Sequence, residues 1–166
     1  VNTSVSDDKL WKIYHHTRVF HDNLVRSINS GNKVALVCNL KSHIHTYMEY
    51  FTKELGVKSE EILAITGSMP EALRIFAGDP NGSWNNYRVI LYNNSLGPGA
   101  SYDFPSVFEV YGVCAAESGF DPVLALQLYN RIRTPINNVI HVLVLHKELS
   151  PYHSVCSGEK LLEKMC

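Results

Sequence analysis

Two hydrophobic rhythms alternate along this chain. Between Asp8 and Ile28 the apolar residues Leu10, Trp11, Ile13, Tyr14, Val19, Leu24, Val25 and Ile28 recur mainly every three or four positions. That spacing predicts an amphipathic helix, capped by Ser6 or Asp7 and closed by Gly31. Lys33–Cys38 reads KVALVC, a continuous apolar run short enough for a strand buried on both faces. A second helix is expected from about Ser42 to about Leu55, ending at Gly56. The alternation then repeats. Strands are expected at residues 61–66 (EILAIT), 87–92 (YRVILY), 106–113 (SVFEVYGV) and Val139–Leu145 (VIHVLVL). Between them the pattern predicts a short helix over 69–77 with Pro70 in its first turn, then a polar loop, GDPNGSWNN. Another helix is opened by Asp121-Pro122, a capping carboxylate followed by proline at the first helical position, and runs to about Ile132. A last helix is expected from Glu159.

Five strands separated by helices imply a mostly parallel sheet with helices on both faces. Right-handed crossovers make this a doubly wound α/β domain, RecA-like or of a related kind. Residues 1–166 read as one domain, with an N-terminal helix over 1–31, a core over 33–146 and a C-terminal extension over 147–166.

Composition narrows the possible partners. The 166 residues are 45% hydrophobic and 19% charged. A chain of this length buries roughly 70% of the surface its unfolded form exposes, so it can hold a core without disulfides or metal. Fifteen Lys and Arg nearly balance sixteen Asp and Glu, giving a net charge of −1 and a pI near 6.8. This excludes a highly basic nucleic-acid coat and a polyanionic tail; any nucleic acid must be held by a few placed groups. No apolar run reaches the roughly 18 residues that span a bilayer, and the N-terminus lacks the pattern of a signal peptide. A soluble chain with no membrane partner is expected. Cys38, Cys114, Cys156 and Cys166 form no C-x-x-C pair, so a reducing intracellular compartment is expected. A start at Val1 and an end at Cys166 lead to the expectation of an excerpt from a longer protein.

In open α/β sheets ligands sit beyond the carboxyl ends of the strands, so the loops there carry the candidate chemistry. Asn39-Leu40-Lys41-Ser42 follows KVALVC into a helix start, where free amides can receive a phosphate or Ser42 can act simply as a cap. Thr66-Gly67-Ser68 follows EILAIT in the same way. The loop from Asn93 to Asp103 holds two glycines about a proline, then Ser101 and Asp103. Backbone at Gly99 can approach a ligand closely there, while the two side chains offer polar contacts; a glycine-rich crossover with a capping aspartate would use the same residues. On the helix from Asp121, Ala125, Leu128, Tyr129 and Ile132 share one side, and Gln127, Asn130 and Arg131 the other. Gln127 and Arg131, at i and i+4, can reach one ligand together. Arg133 joins them only if the helix frays before Pro135; otherwise two arginines at a helix end merely complement its dipole. No G-x-x-x-x-G-K-[ST] is present, and no acidic pair follows a strand as a magnesium-binding segment would. His43-x-His45 lacks partners at ligand spacing, so no metal site is expected.

Taken in order, these loops resemble the C-terminal RecA-like domain of superfamily 2 helicases, most of all the viral, herpesvirus-type replication-origin-binding helicases. ILYNNSLGPGASYD is similar to that family's YTxxxxxGxSFD through Tyr92, Gly99, Ser101, Tyr102 and Asp103. QLYNRIR resembles Q-x-x-G-R-x-R through Gln127, Arg131 and Arg133, and KVALVCNLKSHIHTYMEYF and ITGS resemble earlier segments of the same domain. The likeness covers roughly residues 33–146. Asn93 stands in place of the family's usual Thr, Asn130 replaces its Gly, and Arg133 comes one residue earlier than in most superfamily 2 helicases. The resemblance implies an ATP-dependent DNA helicase acting in DNA replication, whose ATP and Mg²⁺ are bound mainly by a P-loop domain of the same parent protein. It implies that Gly99, Ser101 and Asp103 approach the nucleotide. Gln127, Arg131 and Arg133 would reach the triphosphate, with the arginine-finger role open between the two arginines. It implies also that Asn39, Ser42, Thr66, Gly67 and Asn93 line a track for single-stranded DNA. Two other readings fit the residues: a non-catalytic module that binds nucleic acid or a protein partner, and a stand-alone α/β enzyme using the Gly99 loop for a phosphorylated small molecule.

Overall fold

The computed structural model describes residues 9–96, 99–115 and 122–145, the side chains of 122–124 excepted. The expected cap at Asp121, the helix from Glu159 and the extension over 147–166 lie outside the described residues. In chain order the elements are β1 (Leu10–Tyr14), α1 (Thr17–Asn29), β2 (Lys33–Cys38), α2 (Lys41–Lys53), β3 (Ile62–Ile65), α3 (Glu71–Ala77), α4 (Pro80–Ser83), β4 (Val89–Tyr92), β5 (Phe108–Ala115), α5 (Pro122–Tyr129) and β6 (Val139–Leu145). Short 3₁₀ turns precede β3, β4 and β6.

The strands form one six-stranded sheet in the order β1-β6-β5-β2-β4-β3, with every neighbouring pair parallel. This is the α/β arrangement expected of a RecA-like domain. β2 sits near the middle, its Ala35 opposite Ile90 of β4 and Val110 of β5. Five of its six residues are buried, because helices cover both faces. On one face Phe20, Leu24 and Ile28 of α1 and Ile44, Tyr47 and Phe51 of α2 pack on Val34, Leu36, Leu91 and Val113. On the other, Ala77, Trp84, Leu128, Tyr129 and Ile132 pack on Val37, Ile65, Tyr92 and Val110. Across the first layer, His21 of α1 and Tyr47 of α2 share a buried hydrogen bond through Nε2 and the phenol oxygen.

Three elements differ from the sequence expectation. The single N-terminal helix is a strand followed by a helix: Leu10–Tyr14 pairs with Val139–Leu143 along β6, and the helix starts only at Thr17. Leu10, Trp11, Ile13 and Tyr14 suit one helix face, but five backbone positions in register with an open sheet edge outweigh that pattern. The polar loop GDPNGSWNN is instead α4 and a 3₁₀ turn, packed around Trp84, which is fully buried and donates Nε1–H to the Ala77 carbonyl at 3.0 Å. Finally, α5 ends at Tyr129 rather than near Ile132. Beyond it the backbone pairs with the loop after β4: Tyr102 N–H donates to Arg131 O at 2.6 Å, and Arg133 N–H donates to Tyr102 O at 3.1 Å.

Gly112 in β5 is fixed by packing. A Cβ there would lie 2.3 Å from Cε1 and 2.7 Å from Cζ of Tyr129, so the α5 ring rests directly on the β5 backbone.

Candidate functional site

The carboxyl ends of β5, β2, β4 and β3 stand side by side, and they place Ala115, Asn39, Asn93 and Thr66 in a row. Asn39 extends the β2–β5 ladder with its side chain: Nδ2 donates to Ala115 O at 3.1 Å, and Oδ1 accepts from Ala115 N–H at 3.0 Å. Asn93 is buried and accepts Ser95 N–H at 2.8 Å, closing a local turn. Thr66 is buried with its hydroxyl 3.2 Å from that of Ser68. A Cβ on Gly67 would meet Ser95 Oγ at 3.2 Å, so the loops after β3 and β4 touch at this glycine. Ser42 is exposed in the first turn of α2, but the N-cap is Leu40, with no side-chain cap bond. Ser42 accepts Thr46 Oγ1–H through its own carbonyl instead. The capping role expected of Ser42 is therefore not observed, and α3 likewise opens at Pro70 rather than on the Thr66-Gly67-Ser68 turn.

The remaining candidates other than Gln127 lie where the loop after β4 crosses the segment after α5. Gly99 adopts φ +86, a left-handed conformation that glycine takes without strain. Asp103 and Arg133 form an ion pair, Oδ1 to Nε at 2.9 Å, with both side chains more than half exposed. Ser101 Oγ–H donates to the same carboxylate oxygen at 3.2 Å. The other oxygen accepts Asn81 Nδ2–H at 2.9 Å, while Asn81 Oδ1 takes Asp103 N–H at 2.8 Å. The Asn81 amide first, then Ser101 and Arg133, hold the Asp103 carboxyl below the usual aspartate range. Asn81 is the member that the sequence reading missed. Asp79-Pro80 just before it carries the same helix-start signal as Asp121-Pro122, and that signal marked a structured segment.

In place of one helical stripe, the two arginines occupy an extended bridge and have different surroundings. Arg131 is partly buried, donates Nη1–H to Ala100 O at 3.3 Å, and has a buried Nε with no acceptor among the described residues. Its charge lies close enough to Tyr92 to offset part of the rise that burial imposes on that phenol. Gln127 is exposed on α5, while Arg131 and Arg133 have left the helix. The i, i+4 geometry expected for Gln127 and Arg131 is thus lost. Arg133 instead turns toward the Gly99–Asp103 loop, as fraying before Pro135 was expected to allow.

Compared with the models of known protein families and with curated proteins, the chain matches none. Among the described residues no group of three or more His, Cys, Asp or Glu side chains comes together, and no helix is long and apolar enough to cross a membrane. What the site offers is a cationic pair of unequal exposure beside a glycine-bearing loop. The orphaned Arg131 Nε is a buried donor of the sort that an anionic group satisfies.

Proposed function

We propose that this chain is the second RecA-like domain of an ATP-dependent DNA helicase of the replication-origin-binding kind, forming one wall of an ATP site that a P-loop domain completes. The observation that carries the reading is the junction of the two helicase-like segments. They are far apart in sequence, yet the Tyr102–Ile132 bridge and the Asp103–Arg133 ion pair join them, on the side where Tyr102 packs against Phe108 at the start of β5.

The unequal surroundings suggest a division of labour. Arg133, exposed and engaged among the described residues only through Nε, offers its terminal nitrogens to an incoming phosphate and is the better candidate for the finger that stabilises charge on a transferring phosphoryl group. Arg131 braces the Gly99 loop through the Ala100 carbonyl. ATP with Mg²⁺ would supply the phosphoryl chemistry from the P-loop domain, and this chain would supply cation and backbone. Along the carboxyl edge Ser42, Gly67 and Ser68 are exposed and suit contacts to a single-strand backbone, whereas the committed amides of Asn39 and Asn93 shape that edge. Sparse contacts of this kind agree with a net charge of −1.

ATP turnover tests the reading. The 166-residue chain alone should hydrolyse ATP at background rate. In a protein that also carries the P-loop domain, Arg133→Ala should lower kcat by about 10³-fold or more with little change in nucleotide affinity. Robust DNA-stimulated hydrolysis by the chain alone, or unaltered turnover in Arg133→Ala, would sink it. The ion pair that already engages Arg133 favours one second reading, a non-catalytic module that binds nucleic acid or protein. Salt-sensitive oligonucleotide binding with no response to nucleotide in the two-domain protein would support that reading instead.

A further inference from the structure

We infer that Asn81 is a positioning residue that latches Arg133 through Asp103, with the 79–86 segment as its platform. The inference rests on the reading above in one respect only, that the ligand for which Arg133 is held is a triphosphate.

The platform is rigid for identifiable reasons. Pro80 and Ser83 are buried, and Ser83 Oγ–H donates to Asp79 O at 2.9 Å. A Cβ at Gly82 would fall 2.4 Å from Asp79 Oδ2, so the turn closes tightly on its own aspartate. Trp84 lies stacked on Tyr102, with ring centroids 6.1 Å apart and planes at 15°, and tilted on Tyr92 at 5.4 Å. Asn85 accepts the Tyr102 hydroxyl through Oδ1. The segment therefore grips the loop after β4 at Tyr102 and, through Asn81, at Asp103.

The second grip needs an amide. Asn81 gives a donor to the carboxylate and an acceptor to the Asp103 N–H at once. A serine offers one small group, alanine none, and aspartate a second negative charge. With Oδ2 fixed by Asn81, Oδ1 is left facing Ser101 and Arg133. The carboxylate is then an anion already in place beside the arginine, and a triphosphate reaches Arg133 by displacing it. The order of the influences on the Asp103 carboxyl agrees, since the Asn81 hydrogen bond depresses it more than the Arg133 charge does.

The test uses the 166-residue chain, with NMR titration of the Asp103 carboxyl carbon and hydrogen exchange at Arg133 Nε. Asn81 is exposed, so Asn81→Ala should stay folded with only a small fall in its unfolding midpoint, with Trp84 emission unchanged as the check. In that variant the Asp103 midpoint should rise and Nε exchange should quicken severalfold. Asn81→Asp should raise the midpoint further. Wild-type titration and exchange in both variants would overturn the positioning role. Tripolyphosphate is the anion probe: it should raise the Asp103 midpoint in wild type and bind Asn81→Ala several times more tightly, because the competing carboxylate is loosened. If Asn81→Ala loosens the pair but tripolyphosphate moves neither protein, the role of Asn81 stands and the assignment of Arg133 to a triphosphate fails.

Discussion

Gly112→Ala tests how α5 is seated, and through α5 the placement of both arginines. The new methyl group would stand 2.3, 2.7 and 2.8 Å from Cε1, Cζ and Oη of Tyr129. Carbon atoms pack best at about 3.5–4.0 Å, so the ring or the strand must retreat by roughly 1 Å. Neither is free to do so: the Tyr129 ring is buried and meets Trp11 edge-on at 5.8 Å, and β5 is paired on both sides. Overpacking of this sort costs about 1–3 kcal/mol, and the reduced freedom of the unfolded chain returns roughly 0.4–1 kcal/mol. The net expectation is a loss of about 1–2 kcal/mol, or a fall in Tm of about 2–8 °C for a domain of this size. Urea unfolding followed by fluorescence of the two tryptophans reads it directly. Tyr129→Leu removes the offending ring edge, so Gly112→Ala should cost far less in that background, with a coupling of about 0.5–3 kcal/mol. Wild-type stability in Gly112→Ala, or the same penalty in both backgrounds, would refute the contact.

Three further outcomes follow from buried and charged groups. Desolvation takes the His21 pKa from 6.5 down to about 3, against a smaller opposing pull from the Thr17 backbone. Its contribution is therefore complete above the ordinary histidine value and is lost as pH falls below it, at about 1.4 kcal/mol per pH unit. Urea midpoints at about pH 5 should show a loss of about 2 kcal/mol from this group relative to neutral pH, and His21→Gln, which can still bond Tyr47, should flatten that loss; an unchanged acid response would point elsewhere. Asp103 has a depressed pKa, so its stabilising effect is present above the ordinary aspartate pKa and disappears as pH falls through the folded value. The stability difference between wild type and Asp103→Asn should shrink to nothing in acid, and a constant difference would rule out a charge-based origin. Trp84→Ala should cost about 3–5 kcal/mol in urea unfolding, since it empties the platform beneath Tyr102; a loss under about 1 kcal/mol would mean that the segment is a dispensable surface loop.

The strands buried on both faces were legible because a run such as KVALVC has one physical use at that length. β6 was located to the residue. β1 was not, because a two-turn apolar pattern and a half-exposed edge strand can share the same residues, and only β6, far along the chain, decides between them. Asn39, Thr66 and Asn93 were legible as strand-end residues, since strand order need not be known to find strand ends, whereas Asp103 and Arg133 lie nearer the start of β5, where Ser106 N–H donates to Thr134 O. Their partners were not legible. Asn39 and Asn93 look like free phosphate ligands in sequence, yet both side chains complete local backbone pairing. Arg131 and Arg133 look helical until Tyr102, on a distant loop, offers their backbone a better partner. Asn81 was hidden by composition, in a stretch whose Asn, Gly and Ser read as a solvated loop although Trp84 needed burying.

The β1–β6 ladder also sets the order of assembly. It pairs Leu10 with Val139 and Tyr14 with Leu143, so the first strand of this sheet to leave the ribosome finds its partner only after the four strands between them have been synthesised. Closing so large a loop is slow relative to local pairing. Until then β1 carries Leu10, Trp11 and Ile13 without the ladder that seats them. The growing chain thus travels with one unpaired, partly apolar edge, a natural place for a chaperone to hold and for a truncated product to aggregate.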